Sequence, residues 1–175
     1  MPVETPTIDG DSARMVACIP RLRRYARALV GEHAAADDLV QDTFERAWAR
    51  RRTWRRDGDM RAWLFGIMHN LYVDQRRRKG RAASTLSDAG VDLPVRPTQT
   101  DNLEIRDLGA ALALLSAEQR EIMLLVALED MPYDQIAVTL GIPTGTVMSR
   151  LSRGREKLRL LMSEGLRPAA LKEAK

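Results

Sequence analysis

The stretch from Gly80 to Asp101 divides this chain in two. It reads "GRAASTLSDAGVDLPVRPTQTD", rich in Ser, Thr, Asp, Gly and Pro and without a sustained hydrophobic period. Such a segment buries too little apolar surface to offset the entropy of ordering, so it reads as a linker over residues 80–102. Its 22 residues could span up to about 75 Å when extended. What remains is a first unit over residues 1–79 and a second over residues 103–175. Each must build its own small core, and the composition allows only one material for it. Aromatic residues make up 5% of the chain, whereas Leu, Ala and Arg abound, which favours helices over sheet. The expected fold class is all-α: two small helical domains on a flexible linker.

In the first unit, Asp11 or Ser12 can cap a helix that runs to about Val30, bent or divided at Pro20 and ended by Gly31. A second helix begins near Ala34 and continues to about Arg51. Val40, Phe44, Ala47 and Trp48 form its apolar stripe, and Asp37, Asp38, Gln41, Asp42 and Glu45 cover its other faces. Asp57-Gly58 interrupts as a turn. A third helix over about Asp59 to Lys79 would bury Leu64, Ile67, Met68 and Leu71.

The second unit opens near Leu103. Ser116 and Gln119 stand at capping-box spacing ahead of an apolar face of Ile122, Leu125, Val126 and Leu128. Pro132 starts the next helix. Gly141 then closes it and Pro143 opens the last one, a three-residue connection that permits the sharp angle of a helix-turn-helix. On a helical projection Val147, Leu151, Gly154, Leu158, Leu161 and Met162 share a sector of about 100°, the width of a buried face. Ser149, Ser152 and Arg153 lie almost opposite. Thr146, Arg150 and Lys157 flank them on one side, and Met148 and Arg155 on the other. Glu156 is the sole acid between Ile136 and Ser163, whereas a merely solvated helix usually mixes its charges. An ordinary helical hairpin remains the alternative on this pattern alone.

Charge alternates along the chain. Residues 1–45 carry a net −3, residues 46–81 a net +9, residues 82–135 a net −7 and residues 136–175 a net +5. Two basic blocks separated by an acidic one suggest two contacts with a polyanion and other surfaces kept for protein partners. Neither basic block carries the exposed apolar face of a membrane-surface helix, and no run reaches 18 apolar residues, so no membrane insertion is expected. The polar "MPVETPTIDGDSARM" lacks a signal-peptide core, which predicts a cytoplasmic location. Cys18 is the only cysteine, and His33 and His69 stand apart from it and from each other. All three read as structural, and neither a metal nor a cofactor is expected.

Two motifs together resemble the extracytoplasmic-function (ECF) sigma factors of bacterial RNA polymerase. The first is "DDLVQDTFERAW", Asp37 to Trp48, followed by "RAWLFGIMHNLYVDQRRR", Arg61 to Arg78. The second is Leu115 to Arg159, which contains the helix-turn-helix. A helix-turn-helix alone is common to many regulators, but the pair in this order is specific. The resemblance implies a job for each segment. The acidic helix would dock on the clamp coiled coil of the polymerase β′ subunit through Asp38, Gln41, Asp42 and Glu45. The following loop, with Arg55, Arg56, Asp57 and Asp59, would capture a flipped base of the −10 element. Asn70 would lie near that pocket, and Arg76 and Arg77 would follow phosphate. The last helix would enter the major groove at the −35 element. There Met148, Ser149, Ser152 and Arg153 would face the bases, with Thr146 beside them, and Arg150, Arg155 and Lys157 would follow phosphate. Arg153 suits guanine O6 and N7, while Met148 replaces a basic residue seen in many members and leaves DNA shape to contribute. Trp54 and Trp63 read as core residues.

The implied partners are core RNA polymerase, through the β′ clamp and β flap, promoter DNA, and an anti-sigma factor that holds the protein inactive. It would then be sequestered by that soluble or membrane-bound partner, and nucleoid-associated when active. A sigma-like mimic that binds only an anti-sigma factor would not need both basic blocks. An ordinary helix-turn-helix repressor would not require "DDLVQDTF". An enzyme fits worst, because no phosphate-cradling Gly loop, metal cluster or nucleophile–base pair is visible.

Overall fold

The computed structural model describes residues 10–54, 58–85 and 103–163, and every regular element among them is helical. Helix α1 (Gly10–Ala17) gives way to α2 (Ile19–Val30) at Cys18, because the Pro20 ring breaks the run where its position predicts. Gly31 closes α2 in the left-handed conformation, φ +83°, with its N–H donating to the Arg27 carbonyl. Glu32 then caps α3 (His33–Arg50) by accepting from the Ala34 and Ala35 N–H groups at 2.8 and 2.7 Å. A 3₁₀ turn, Arg51–Thr53, follows. Helix α4 (Met60–Thr85) continues past the expected end at Lys79. The second region comprises α5 (Leu103–Ala113), α6 (Ala117–Glu129), α7 (Tyr133–Leu140) and α8 (Thr144–Ser163). Its capping box at Ser116 and Gln119 is present in both directions. Gly141, φ +64°, ends α7, and Pro143 directly precedes α8. The helix-turn-helix is thus in place.

Helices α2, α3 and α4 enclose Leu22, Leu29, Leu39, Leu64 and Met68, all fully buried. Tyr25 and Phe65 meet edge to face at 4.9 Å. In the second region Ile122, Leu125, Ile136 and Val147 do the same for α6, α7 and α8. The buried face of α8 holds through Val147, Leu151 and Gly154, but Met162 is exposed, since the stripe outruns the surface that covers it. Gly154 is the point of closest approach. A Cβ there would lie 2.9 Å from Met123 Sδ and 3.4 Å from Gln119 Cβ, so a larger residue would oblige the Met123 side chain to move.

The two regions do not stand apart. Helix α2 packs along α6 and α4 packs on α7, making one continuous buried cluster from Met15 to Leu151. At the second of these contacts a Cβ on Gly66 would lie 3.4 Å from the Thr139 carbonyl oxygen. Among the described residues no helix is long and apolar enough to cross a membrane.

Candidate functional site

One face of α3 is buried through Ala36, Leu39, Val40, Thr43 and Ala47. That packing turns Asp38, Gln41, Asp42 and Glu45 outward, all exposed. They form a single stripe, because residues three and four apart are neighbours on a helix. Gln41 Nε2 donates to Glu45 Oε1 at 2.9 Å, and Gln75 Nε2 reaches Asp42 Oδ2 at 3.4 Å. Trp48 continues the stripe and corrects the sequence expectation, being 51% exposed instead of buried in the apolar face. The Arg51 guanidinium covers its ring at 4.8 Å from the centroid. An exposed Trp beside an acidic stripe has the make-up of a protein-docking face.

Of the residues expected at the −10 element, Arg55, Arg56 and Asp57 lie outside the described residues. The flanking ones are engaged within the chain. Asp59 caps α4 by accepting from the Arg61 N–H at 2.8 Å, and its other oxygen accepts from Gln135 Nε2 of α7 at 2.8 Å. Arg76 lies over Tyr72 and pairs with Glu118 of α6 at 3.2 Å. Asn70 is exposed and donates to the Gly66 carbonyl of its own helix. Arg77 is exposed on α4. Trp54 is buried against Trp63, as expected of core residues.

Sequence reasoning missed the junction itself. The acidic block suggests surfaces for protein partners, yet Glu118 and Glu129 face arginines of the first region and Glu121 faces His69. Glu129 is fully buried at the end of α6, with Arg24 at 3.2 Å, Arg21 at 3.5 Å and Arg61 at 3.9 Å from its carboxylate. The same side chains serve the last carbonyls of α6: Arg24 donates to Leu128 O at 2.5 Å and Arg61 to Glu129 O at 2.7 Å. His69 Nδ1 lies 2.7 Å from Glu121 Oε1. Arg120 works in the opposite direction, donating to Leu29 O at the end of α2, to Leu112 O and Ala113 O at the end of α5, and to Leu115 O in the connection that follows. Cations therefore meet helix C-termini, where the backbone dipole favours them.

These contacts set a pH dependence. Burial raises the Asp59 carboxyl, but the bonds from Gln135, Arg61 and Ala62 and the Arg61 charge outweigh it and leave it below its ordinary value. Glu118 is lowered chiefly by a backbone N–H, against burial and with help from Arg76. A carboxyl lowered by folding adds stability that is complete above its unfolded pKa, about 4, and is lost as pH falls through the folded value. The thermal midpoint should therefore fall between pH 5 and pH 3. A midpoint that rises over that interval would contradict these two assignments.

Helix α8 presents Met148 (55% exposed), Ser149, Ser152 and Arg153 to solvent. The Ser149 hydroxyl donates to Thr146 O and Arg153 Nε to Ser149 O, so the face is tied along its own helix. Thr146 and Arg150 are half-buried at its edge. Lys157 differs from expectation: its ammonium donates to Leu114 O at 2.6 Å and so secures the end of α5. Cys18 is half-buried and burial pushes its thiol up, which suits an inert side chain. Among the described residues no group of His, Cys, Asp and Glu could hold a metal ion.

Residues 15–69 match the family model of the sigma2 domain of PhyR, and residues 105–158 match that of sigma-70 region 4. Across 158 residues the chain is 35% identical to the ECF RNA polymerase sigma factor EcfG of Rhodopseudomonas palustris, covering 90% of this chain and 87% of that protein. The chain belongs to the ECF sigma factor family. Another relative, SigL of Mycobacterium tuberculosis, is 37% identical over 153 residues, 82% of this sigma factor and 83% of SigL. Among solved structures it is similar to the sigma factor RpoE in complex with the anti-sigma factor NepR from Bartonella quintana. That similarity has a TM-score of 0.74 at 34% identity, over 86% of this chain and 95% of RpoE. The all-α fold in two regions agrees with that structure.

Proposed function

We propose that this ECF sigma factor is a promoter-specificity subunit. It binds core RNA polymerase, recognises the −35 and −10 elements and helps melt the latter, without itself being a catalyst. The relationship to EcfG over nearly the whole chain carries this conclusion, and the two outward faces supply suitable chemistry. The stripe of Asp38, Gln41, Asp42 and Glu45 meets the basic β′ clamp, with Trp48 as its apolar anchor. Arg55, Arg56, Asp57, Asp59, Asn70, Arg76 and Arg77 serve the −10 element. On α8, Arg153 pairs with guanine at the −35 element, beside Met148, Ser149 and Ser152, while Thr146 and Arg150 support the helix and Lys157 turns to phosphate when freed. Residues 1–79 and 103–175 divide these tasks, joined over 80–102. The protein works in the cytoplasm, and an anti-sigma factor holds it inactive, a role supported by the RpoE–NepR complex. A mimic that bound only an anti-sigma factor would have no use for the exposed Arg153 and Arg155 on α8.

Replacing Arg153 with Ala tests the −35 assignment. A bidentate guanine contact is worth roughly 1–3 kcal/mol of discrimination, so promoter binding should weaken by about 5- to 150-fold and the preference at one −35 base pair should relax. Equal weakening on all sequences with a shallower salt dependence would instead mean a phosphate contact.

A further inference from the structure

The outward face of α8 is polar except at one place. Met148 stands 55% exposed in the first turns of the helix, beside Ser149, Ser152 and Arg153, which are exposed as well. No acidic residue precedes Glu156 on α8, so the face suits a polyanion. Its hydrogen-bonding groups are partly spent on the helix itself. The Ser149 hydroxyl donates to Thr146 O at 3.1 Å, and Arg153 Nε donates to Ser149 O at 3.3 Å. The second bond leaves the outer end of the guanidinium for guanine O6 and N7. Met148 has no polar group to offer, and needs an apolar one to meet.

The surroundings of Met148 suit such a contact. It shares a shallow recess with Tyr133, at the start of α7, and with Leu151, which is buried. Tyr133 packs on the hydrophobic core, so that wall of the recess is fixed. Ser152 also lines the recess and is too small to fill it, while Arg155 supplies positive charge there. A thioether chain is unbranched and polarisable, and adapts to a small apolar group set against it. The base edges in the major groove display one methyl group, on C5 of thymine, among hydrogen-bond donors and acceptors.

We propose that Met148 reads the C5-methyl group of a thymine in the −35 element, receiving it in the recess beside Tyr133 and Leu151. The assignment rests on the −35 reading above and adds the kind of base pair that Met148 selects. Five residues of helix put Met148 about 7.5 Å along the axis from Arg153, and the two side chains leave the helix about 140° apart. They therefore meet different base pairs. Arg153 selects a G·C pair by hydrogen bonds, and Met148 selects an A·T pair, in one orientation, by its methyl group.

Deoxyuridine isolates that methyl group, because it presents the same hydrogen-bonding edge as thymidine without it. Holoenzyme assembled from core polymerase and the full chain is titrated with promoter fragments in which each −35 thymine, on either strand, is replaced singly by deoxyuridine. The wild type should lose about fourfold in affinity at one thymine, the worth of one buried methyl group, and keep its affinity at the others. Met148→Ala alters an exposed position. It should bind the thymidine and deoxyuridine fragments equally, and as weakly as the wild type binds the latter. Equal affinity of the wild type for every fragment, or a −35 element with no A·T pair, would overturn the assignment. So would a methyl preference that survives Met148→Ala, since it would then arise from DNA shape. A fragment with a scrambled −35 element is the control. If holoenzyme binds it as tightly as the natural promoter, the −35 reading falls instead, and the two failures are told apart.

Discussion

Replacing Arg120 with Met should lower the free energy of unfolding by about 3–5 kcal/mol, the loss expected when several buried carbonyls lose a charged hydrogen-bond donor. The side chain is only 7% exposed. It donates to Leu112 O at 2.8 Å, Ala113 O at 2.6 Å, Leu115 O at 3.4 Å and Leu29 O at 3.0 Å. Burial lowers the guanidinium from its ordinary value, with the neighbouring Tyr72 working against that. Arginine ionises so far above neutrality that the group stays charged and all its N–H donors persist. Met keeps the apolar stem and leaves four carbonyls without their donor, two of them at helix ends that have no internal partner. Arg120→Lys should recover only part of the loss, because a point ammonium cannot reach two helix termini as a planar fork does. Denaturant unfolding near pH 7 checks both, and a loss under 1 kcal/mol for Arg120→Met would contradict the assigned role.

The second large effect belongs to α3 and concerns binding without stability. Asp38→Lys places a cation at the head of the exposed stripe that we propose docks on a basic partner. Like charges across an interface cost several kcal/mol, so affinity for core polymerase should fall at least 100-fold. The thermal midpoint should hold, since exposed substitutions away from packing contacts shift stability by about 0.5 kcal/mol or less. Titration of labelled sigma factor with core polymerase gives the first quantity and calorimetry the second. Unchanged affinity would remove Asp38 from the docking face.

Local signals made much of this fold legible in the sequence. The Ser116–Gln119 capping box, the left-handed stops at Gly31 and Gly141, and the buried positions Val147, Leu151 and Gly154 each follow from spacing within one helix. The junction follows from no such spacing. Glu121 and Glu129 look like ordinary polar positions in a helical pattern, and their partners His69 and Arg24 lie in the other region of the chain. Charge alternation was visible, but whether an acidic block faces another protein or the chain's own arginines depends on tertiary packing. Trp48 shows the complementary limit. Periodicity places it with Phe44 and Ala47, and nothing in the period separates a residue buried in a core from one left exposed at the surface. Asp59, assigned to DNA through family resemblance, proved to be a helix cap and a tie to α7 as well.

Run-off transcription tests the central claim most directly. Core RNA polymerase should give discrete transcripts from a cognate promoter only when this chain is added. Arg153→Ala should reduce them in a way that depends on the −35 sequence. Core polymerase that shows no promoter-specific transcript on any genomic template in the presence of the chain would contradict the account.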